Sequence, residues 1–496
     1  MISVLRWFVL RGNFYSKLLF LIGVLLAAPL LVLPFYPEEA AYAPSFVSPA
    51  LALMALSFIP FFSAGRAAPR VTEWQSPLQR GSLPVMFAWC VSILGGAMPF
   101  VLSGRLSFLN ALFESVSGWT TTGLSVVNVA ALPHILLFHR SFMQYCGGLG
   151  FIIIIAILIR GKEVMNLYNA EGHSDRIMPT LRRTTQTIFL IYNGFLITGT
   201  VLYAVFGMDF FSALCHTMSA LSTAGFTTHP LSIDGYNSLP IEAVTIVLML
   251  IGSMNFAILL MLVRGRFKKA FRVCEVKALL WLLIIFVPLT ALSLIFQAGL
   301  SVGQGFHEAL FGVVTVFSTT GYSTMYYAGW PQFAVGLLLI LMIVGGGVGS
   351  TAGGIKLQRV YILVRVTRDN IHKRLTSTRR VTVPRYTRPQ GDAPIDDALI
   401  SDTFVFVAVY AVITLAGTLL LTLTADASVG DALFEFASAL GTVGISNGIT
   451  SPDASVGTRI VEMVGMLLGR LEIYIVFIGA YSGFSAMKAR FSRRSP

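Results

Sequence analysis

Charged side chains are scarce in this chain. Of its 496 residues only 12% are charged, whereas 55% are hydrophobic, and the mean hydropathy is +0.77. A soluble domain carries about 25% charged residues. The shortage of charge excludes a soluble globular protein and predicts an integral membrane protein.

Cysteines and catalytic motifs are also in short supply. The four cysteines lie in or beside apolar segments without paired spacing, which indicates small buried side chains; they are Cys90, Cys146, Cys215 and Cys274. The sequence has no H-E-x-x-H motif, and no Cys/His/carboxylate cluster suggests a transition metal. We therefore predict that the protein is not an enzyme and carries no cofactor.

Long apolar runs are abundant instead. A helix needs roughly 20 apolar residues to cross a bilayer, and no segment has the alternating pattern of a barrel strand. About ten runs qualify, near 16–36, 45–63, 82–102, 135–160, 184–206, 240–264, 276–299, 332–345 continuing to about 374, 400–424 and 458–487.

The net charge of +12 follows from the predicted topology. Basic residues collect between alternate spans, with the largest group from Arg359 to Arg388, whereas the intervening connections hold mostly aspartates. This alternation fits the positive-inside rule. We expect a multi-pass protein in the lipid bilayer with both termini in the cytoplasm, and no binding of nucleic acid.

Four short Gly/Thr stretches recur along the chain in one register. Their central glycines are Gly123, Gly225, Gly321 and Gly444, and an alanine stands twelve residues before each: Ala111, Ala213, Ala309 and Ala432. A fixed repeat of about 100 residues predicts equivalent structural units. Four units around one axis predict a central pore.

Each stretch follows a segment too short to span, at 107–118, 209–221, 305–317 and 428–440. The residues that begin these segments are acceptable helix N-caps: Ser107, Asp209, Gly305 and Ser428. We predict half-helices whose C-terminal, partially negative ends point into the membrane, where they stabilise a cation.

The predicted fold is an all-α integral membrane protein with four tandem helix–pore-helix–filter–helix repeats around a pseudo-fourfold pore. An N-terminal two-helix extension occupies residues 1–80. The repeats cover 81–162, 183–266, 275–374 and 400–496, and a basic cytoplasmic connector covers 375–399.

The Gly/Thr composition points to an ion path. Irregular backbone at membrane depth must be enclosed by protein or line a water-filled route. Carbonyls along such a route can replace the hydration shell of an ion, and glycine permits the backbone to turn them to one side. Oxygen ligands alone suit an alkali cation. The candidate filter residues are Thr121, Thr122, Gly123, Thr223, Ala224, Gly225, Thr319, Thr320, Gly321, Thr442, Val443 and Gly444.

These stretches and their two-helix units resemble the Trk/Ktr/HKT superfamily of potassium transporters from about residue 80 to 490. The extra N-terminal helix pair is most similar to the bacterial TrkH/TrkG branch, and the segments 345–356 and 469–472 match it too. The resemblance implies a K⁺ filter within one subunit of a bacterial plasma membrane protein. It also implies a homodimer and a cytoplasmic nucleotide-binding regulatory subunit of the TrkA type.

The segment 345–356 is rich in glycine within an apolar run, which favours an unwound backbone over a helix. Close helix packing is the alternative. Residues 347–352 also fit a dinucleotide fingerprint, but the surrounding βαβ unit is missing. The resemblance implies an intramembrane gating loop below the filter, with Lys356 projecting toward water. Its candidate residues are Gly345, Gly346, Gly347, Gly349, Gly353, Gly354 and Lys356.

Arg470 lies near the middle of the last predicted span. An arginine at that depth needs a polar cavity or a partner. A pair with Glu472 is one alternative, although residues two apart point to different helix faces. The resemblance places Arg470 below the filter as a second gate residue.

Four further side chains are predicted to have supporting roles. Glu114 and Glu435 share one half-helix position and are expected to accept hydrogen bonds from filter amides. His216 is expected to be structural, and Arg140 to be an interfacial anchor.

The favoured function is a K⁺-translocating pore that conducts K⁺ inward. The alternative is an H⁺- or Na⁺-coupled K⁺ symporter or another secondary transporter, since such proteins bind their substrates at broken helices. Transporters generally pair inverted repeats, whereas all four units run in the same direction here.

Overall fold

The computed structural model describes residues 14–63, 77–149, 180–325, 327–375 and 384–492. Helices make up nearly all the regular structure in these ranges. The predicted continuation of the fourth span to residue 160, much of the basic connector and both chain ends lie outside the described residues.

The N-terminal helix pair is α1 (Phe14–Ala27) and α2 (Ala43–Ser63). Two 3-10 turns connect them, Ala28–Val32 and Pro37–Tyr42, and each turn has a proline in its first two positions, where its missing N–H costs no hydrogen bond. Both helices pack on the first helix of repeat 1 through a shared apolar cluster.

Each quarter of the remaining chain contains a long helix, a half-helix and a second long helix. Quarter one has α3 (Pro77–Leu102), α4 (Phe108–Trp119) and α5 (His134–Leu149). Quarter two has α6 (Leu181–Val205), α7 (Phe210–Leu221), α8 (Leu239–Ser253) and α9 (Phe256–Val263), followed by the short α10 (Phe267–Ala270). Quarter three has α11 (Cys274–Ala298), α12 (Val302–Phe317), α13 (Gln332–Val344) and α14 (Leu357–Leu375). Quarter four has α15 (Asp397–Ala425), α16 (Val429–Leu440), α17 (Val456–Arg470) and α18 (Ile473–Ser492).

Three half-helices begin where the sequence predicts. The side chains of Ser107, Asp209 and Ser428 each accept a hydrogen bond from the amide three residues later. The prediction of a cap at Gly305 is wrong, because α12 begins one turn earlier at Ser301, whose hydroxyl accepts from the Gln304 amide. Gly305 has no side chain that could cap the helix, whereas Ser301 supplies a hydroxyl.

Two predicted spans are broken instead of continuous, and the segment predicted to be unwound breaks a third. The α8–α9 pair bends by 118° and the α17–α18 pair by 102°, while residues 345–356 separate α13 from α14 without forming a helix. Among the described residues six helices are long and apolar enough to cross a membrane, or up to eight if each bent pair is one span.

The connector before quarter four contains a small hairpin that the sequence did not predict. Strands β1 (Arg385–Arg388) and β2 (Gly391–Pro394) pair antiparallel, with Tyr386 opposite Ala393. These two side chains pack with Ile362 and Val366 of α14. The part of the connector that the structure describes is therefore folded onto the helices.

Glycines on the second long helix let the half-helices approach closely. A Cβ added to Gly147 would lie 2.0 Å from the Trp119 carbonyl oxygen, and one added to Gly469 would lie 1.9 Å from the Leu440 oxygen. Both oxygens belong to the last residue of a half-helix. Small residues therefore fix the position of these two half-helix ends.

We expect Gly147→Ala to destabilise the protein by about 1–3 kcal/mol, because the added methyl overlaps a main-chain oxygen that cannot move independently. Gly194→Ala is the matched control. Gly194 is also helical but has open space around it, so this variant should be neutral or slightly more stable. Thermal unfolding in detergent measures both, and equal stability of the two variants would contradict the packing argument.

Candidate functional site

The four Gly/Thr stretches adopt the same unusual backbone. The central glycines have φ between 78° and 91°. The threonine two residues earlier is also left-handed in every quarter, with φ of 55°, 51°, 56° and 51° at Thr121, Thr223, Thr319 and Thr442. A β-branched residue in this region costs about 1–3 kcal/mol. Four equivalent costs indicate a conformation that the surrounding contacts hold in place.

The amides of each stretch turn back toward its own half-helix. In every quarter the amide just before the central glycine donates to the carbonyl five residues earlier. The donor–acceptor pairs are Thr122 to Ser117 at 3.0 Å, Ala224 to Ser219 at 3.0 Å, Thr320 to Thr315 at 2.9 Å and Val443 to Ser438 at 2.8 Å. These amides are thus bonded to their own half-helix, which leaves the carbonyl oxygens of the stretch available for other contacts.

The carbonyls meet the neighbouring quarter in a closed ring. A Cβ added to each central glycine would strike the oxygen of the residue before the next central glycine, and the fourth quarter returns to the first. The separations are 2.2 Å from Gly123 to Ala224, 2.1 Å from Gly225 to Thr320, 2.0 Å from Gly321 to Val443 and 2.1 Å from Gly444 to Thr122. Eight of the twelve sequence-predicted filter residues therefore take part in a closed ring of main-chain contacts between the quarters.

One carbonyl of the ring has a side-chain donor behind it. Gln144 on α5 is fully buried, and its Nε2 donates to the Ala224 oxygen at 2.8 Å. Its Oε1 accepts from the Ser219 hydroxyl at 2.7 Å and from the Phe226 amide at 3.3 Å. The Phe226 N–H can only donate, so it fixes which way the Gln144 amide points. No pattern in the sequence singled out Gln144.

The layer behind the first stretch is a buried ion pair. Arg140 Nε lies 3.1 Å from Glu114 Oε2, and both side chains are almost completely buried. Glu114 Oε1 also accepts from the Ser125 hydroxyl at 2.6 Å and the Val126 amide at 2.7 Å. Arg140 packs over the Phe226 ring at 3.9 Å. The predicted role of Arg140 as an interfacial anchor is wrong, because its carboxylate partner draws it inside.

The position of Glu114 is occupied by His216 in quarter two, Gly312 in quarter three and Glu435 in quarter four. Glu435 accepts from the amides of Asn447 at 3.0 Å and Thr450 at 3.1 Å. Both acids therefore bind amides that follow the Gly/Thr stretches, whereas the sequence predicted bonds from the filter amides themselves. His216 Nδ1 bonds only its own helix, at the Ser212 carbonyl, in keeping with a structural role. In quarter three the Trp330 ring fills the space that a side chain at Gly312 would occupy.

Segment 345–356 lies directly against the threonine ends of the stretches. Thr351 Oγ1 is 3.0 Å from Thr223 Oγ1, and the Gly353 amide donates to Thr319 Oγ1 at 2.9 Å. A Cβ on Gly353 would also lie 2.3 Å from Thr442 Oγ1. The segment therefore contacts three of the four quarters on the side opposite the half-helix N-termini.

The broken end of α8 holds the segment in place. The Gly347 and Thr351 amides donate to the carbonyls of Ser253 and Gly252, at 2.9 and 3.2 Å. Glu275, at the start of α11, accepts from the Val348 amide at 2.8 Å. Unwound backbone inside a membrane needs such partners, and the break in α8 supplies its own unpaired carbonyls. Glu275 carried no signal in the sequence beyond its place at the start of a span.

The two predicted gate cations lie beside this segment. Arg470 donates to the Gly147 carbonyl, and Lys356 Nζ contacts the Ala352 carbonyl. Both line a cavity of about 30 Å³ together with Gly349 and Ser350, room for roughly two waters. The expectation that Lys356 projects toward water is wrong: its side chain folds back over its own loop, and only 7% of the residue is exposed.

Glu472 ties the last helix break to the end of the segment. Its carboxylate pairs with Arg359 at 3.0 Å. Arg359 donates in turn to the Ile355 carbonyl at 3.2 Å and packs over the Phe406 ring at 3.8 Å. The sequence suggested Arg470 as the partner of Glu472, and Arg359, which lies far away in the chain, takes that place instead.

A family model for TrkH, a cation transport protein, matches residues 54–485 of this chain. The chain belongs to the TrkH family. Among TrkH-family relatives, the Trk system potassium uptake protein TrkH of Vibrio parahaemolyticus is 30% identical, with 93% of this chain and 96% of the relative covered. The Trk system potassium uptake protein TrkG of Escherichia coli is 28% identical, with 94% and 96% covered.

Solved structures agree with this assignment. The crystal structure of the potassium transporter TrkH from Vibrio parahaemolyticus superimposes with a TM-score of 0.81 at 28% identity, covering 95% of this chain and 97% of that one. The all-α membrane fold predicted from the sequence is thereby confirmed. The TrkH family consists of transport proteins, in accord with the prediction that the chain is not an enzyme.

For this TrkH-family chain we expect Arg140→Met to cost about 3–5 kcal/mol, because it leaves the Glu114 charge buried without its partner. The double variant Glu114→Gln/Arg140→Met should recover part of that loss, since glutamine still accepts the Val126 amide. Arg105→Met, at an exposed arginine, is the control and should change stability by less than about 0.5 kcal/mol. Thermal unfolding in detergent measures all three, and a neutral Arg140→Met would refute the role of the pair.

Proposed function

We propose that this chain is the K⁺-translocating pore subunit of a potassium uptake system. The observation that carries the proposal is the closed ring in which each central glycine abuts the carbonyl of the next quarter. A ring of main-chain oxygens with its amides bonded outward suits a dehydrated monovalent cation. The relatives named as potassium uptake proteins support K⁺ as the transported ion.

The half-helices add a favourable field to this ring. Each ends in the residue before its Gly/Thr stretch, so four partially negative helix ends approach the axis. A cation held there is stabilised without any carboxylate ligand. Weak oxygen ligation of this type allows an ion to leave as well as to enter, as conduction requires.

We infer that segment 345–356 and Arg470 form the gate. The segment contacts the threonines at one end of the stretches, and Arg470 lines the cavity beside it. For ions to pass, the segment has to move away from Thr223 and Thr319. A fixed arginine charge next to the path slows cations and so limits throughput.

The setting of this pore follows from the same proposal. The protein would lie in a bacterial plasma membrane with both termini in the cytoplasm, on the side with the basic connections. We further propose a homodimer and a cytoplasmic nucleotide-binding subunit of the TrkA type, because two relatives are named as parts of a Trk system. The exposed cations between α9 and α11 offer a basic docking face for it.

The test is flux and single-channel recording in liposomes with K⁺ and Na⁺ gradients. We expect channel-like throughput with a reversal potential that follows K⁺. Gly123→Ser should lower the K⁺/Na⁺ selectivity several-fold, because a side chain at φ 91° displaces the Ala224 carbonyl. Gly104→Ser changes another glycine of positive φ, with open space around it, and should leave selectivity unchanged.

Two outcomes of this experiment would count against the pore. Unchanged ion ratios in Gly123→Ser would contradict the filter. A slow, saturating flux that requires a proton or Na⁺ gradient would favour the coupled symporter.

Arg470→Ala should raise the K⁺ conductance several-fold, because it removes a positive charge next to the path. Arg470→Lys keeps the charge but not the fork that reaches the Gly147 carbonyl, and should conduct close to the wild-type rate. If both variants lose stability and conductance together, Arg470 acts only as a tie between helices. Single-channel amplitude and thermal unfolding separate these outcomes.

A further inference from the structure

The fourth quarter contains a pair of buried carboxyl groups that the ion path does not use. Glu435 on α16 and Glu462 on α17 are both fully buried. Thr450 lies between them: its hydroxyl contacts Glu435 Oε1 and lies 2.9 Å from Glu462 Oε1. The three residues hold the segment that follows the fourth Gly/Thr stretch.

The number of hydrogens available for these contacts limits the charge that Glu435 and Glu462 can carry together. The Thr450 hydroxyl has one hydrogen, yet it lies within bonding distance of two carboxyl oxygens. If both glutamates were ionised, one contact would join two acceptors with no hydrogen between them, which is unfavourable in a buried site. At least one of the carboxyl groups therefore carries a proton.

The hydrogen-bond partners identify which one. Glu435 accepts from the amides of Asn447 and Thr450, as a carboxylate does. The Glu462 Oε2 atom is buried and has no hydrogen-bond partner in the part of the chain that the structure describes. A charged carboxylate would be costly there. The proton thus belongs to Glu462, which donates to Thr450, and Thr450 donates to Glu435.

The first quarter supports this assignment independently. Arg140 and Glu462 each stand seven residues before the glycine that packs on its half-helix end, Gly147 or Gly469. Their partners Glu114 and Glu435 also correspond, three residues after the shared alanine. Quarter one therefore neutralises its glutamate with an arginine. Quarter four has the acid Glu462 at the position of Arg140. A proton on Glu462 there removes the charge repulsion that an arginine would otherwise have to compensate.

The charged groups around Glu462 are compatible with a bound proton. The charged groups nearest to Glu462 are Glu435 and Arg459, which lies one turn earlier on α17. The Arg459 guanidinium is directed to the Asn110 side chain and to the Ala454 carbonyl at 2.7 Å. Among the side chains that the structure describes, the other charged ones on elements packed against α17 are Asp431 on α16, Glu114 on α4, and Asp397 and Asp402 at the far end of α15.

We propose that Glu435, Thr450 and Glu462 form a proton-binding site behind the fourth Gly/Thr stretch. The protonated site holds the segment at Asn447–Thr450 in place. Loss of the proton leaves two buried carboxylates that repel each other and displaces this segment. On the proposed function, on which this last step rests, K⁺ conduction is supported by the protonated form and decreases as the pH rises.

Infrared difference spectroscopy between acidic and alkaline samples tests the proton itself, without any transport assay. The full-length protein should lose a carboxylic-acid C=O band as the pH rises. Glu462→Gln should lack that band, because its neutral amide imitates the protonated acid and still donates to Thr450. The control Asp431→Asn removes an exposed acid from the same half-helix and should retain the band.

Potassium flux in liposomes across the same pH range tests the coupling. The wild-type flux should fall several-fold at alkaline pH, whereas that of Glu462→Gln should stay level. Thr450→Val removes the bridging hydroxyl and should shift the C=O band and reduce flux at every pH. An absence of flux in all variants would contradict the proposed function, while the infrared band would still decide the proton site.

Three results would overturn the proton site. They are an unchanged C=O band in Glu462→Gln, a band that disappears in Asp431→Asn, and a Glu462→Gln protein that fails to fold. The last counts against it because an amide isosteric with the protonated acid should be tolerated.

Discussion

The contact between each central glycine and the next quarter's carbonyl is the constraint on which the rest of this structure depends. It closes from Gly444 back to Thr122, so no quarter can move outward without opening the ring. The contact is between main-chain atoms, and any side chain at the glycine would occupy the oxygen's place. The strained threonine backbone two residues earlier is the geometric cost of bringing these oxygens against the next quarter, and the amide bonds to the half-helices offset it.

The helix breaks below the ring follow from a second constraint, that no main-chain group may stay unpaired inside a membrane. Ending α8 at Ser253 releases carbonyls, and unwinding residues 345–356 releases amides; the two segments satisfy each other. The break after Arg470 is tied to the same region through Glu472 and Arg359. A segment held by a few exchangeable hydrogen bonds can move at lower cost than a continuous helix, which suits a gate.

The sequence was sufficient for features that repeat or are local. The register of the four stretches, three of four half-helix caps and the unwound glycine-rich segment all depend on residues close together in the chain. The breaks at Met254–Asn255 and Leu471–Glu472 were not predictable, because neither contains proline or a run of glycines and their partners are distant in sequence. Arg140 was misplaced for the same reason: its burial depends on Glu114 in another helix, and an arginine alone at a span end is typical of an anchor.

The layer behind the ring shows how far the quarters can differ while the ring stays regular. Quarter one has a Glu114–Arg140 pair, quarter two His216 next to Tyr322, quarter three the Trp330 ring over Gly312, and quarter four two acids. The glutamates of quarters one and four bond the segment that follows their stretch, while the main-chain contacts of the ring are alike in all four quarters. The free energy that holds each quarter therefore depends on different chemistry. Quarters one and three need no shared proton for their support, whereas quarter four depends on the proposed one. The ring needs all four quarters to close. Its geometry therefore responds to the protonation state that we propose for quarter four.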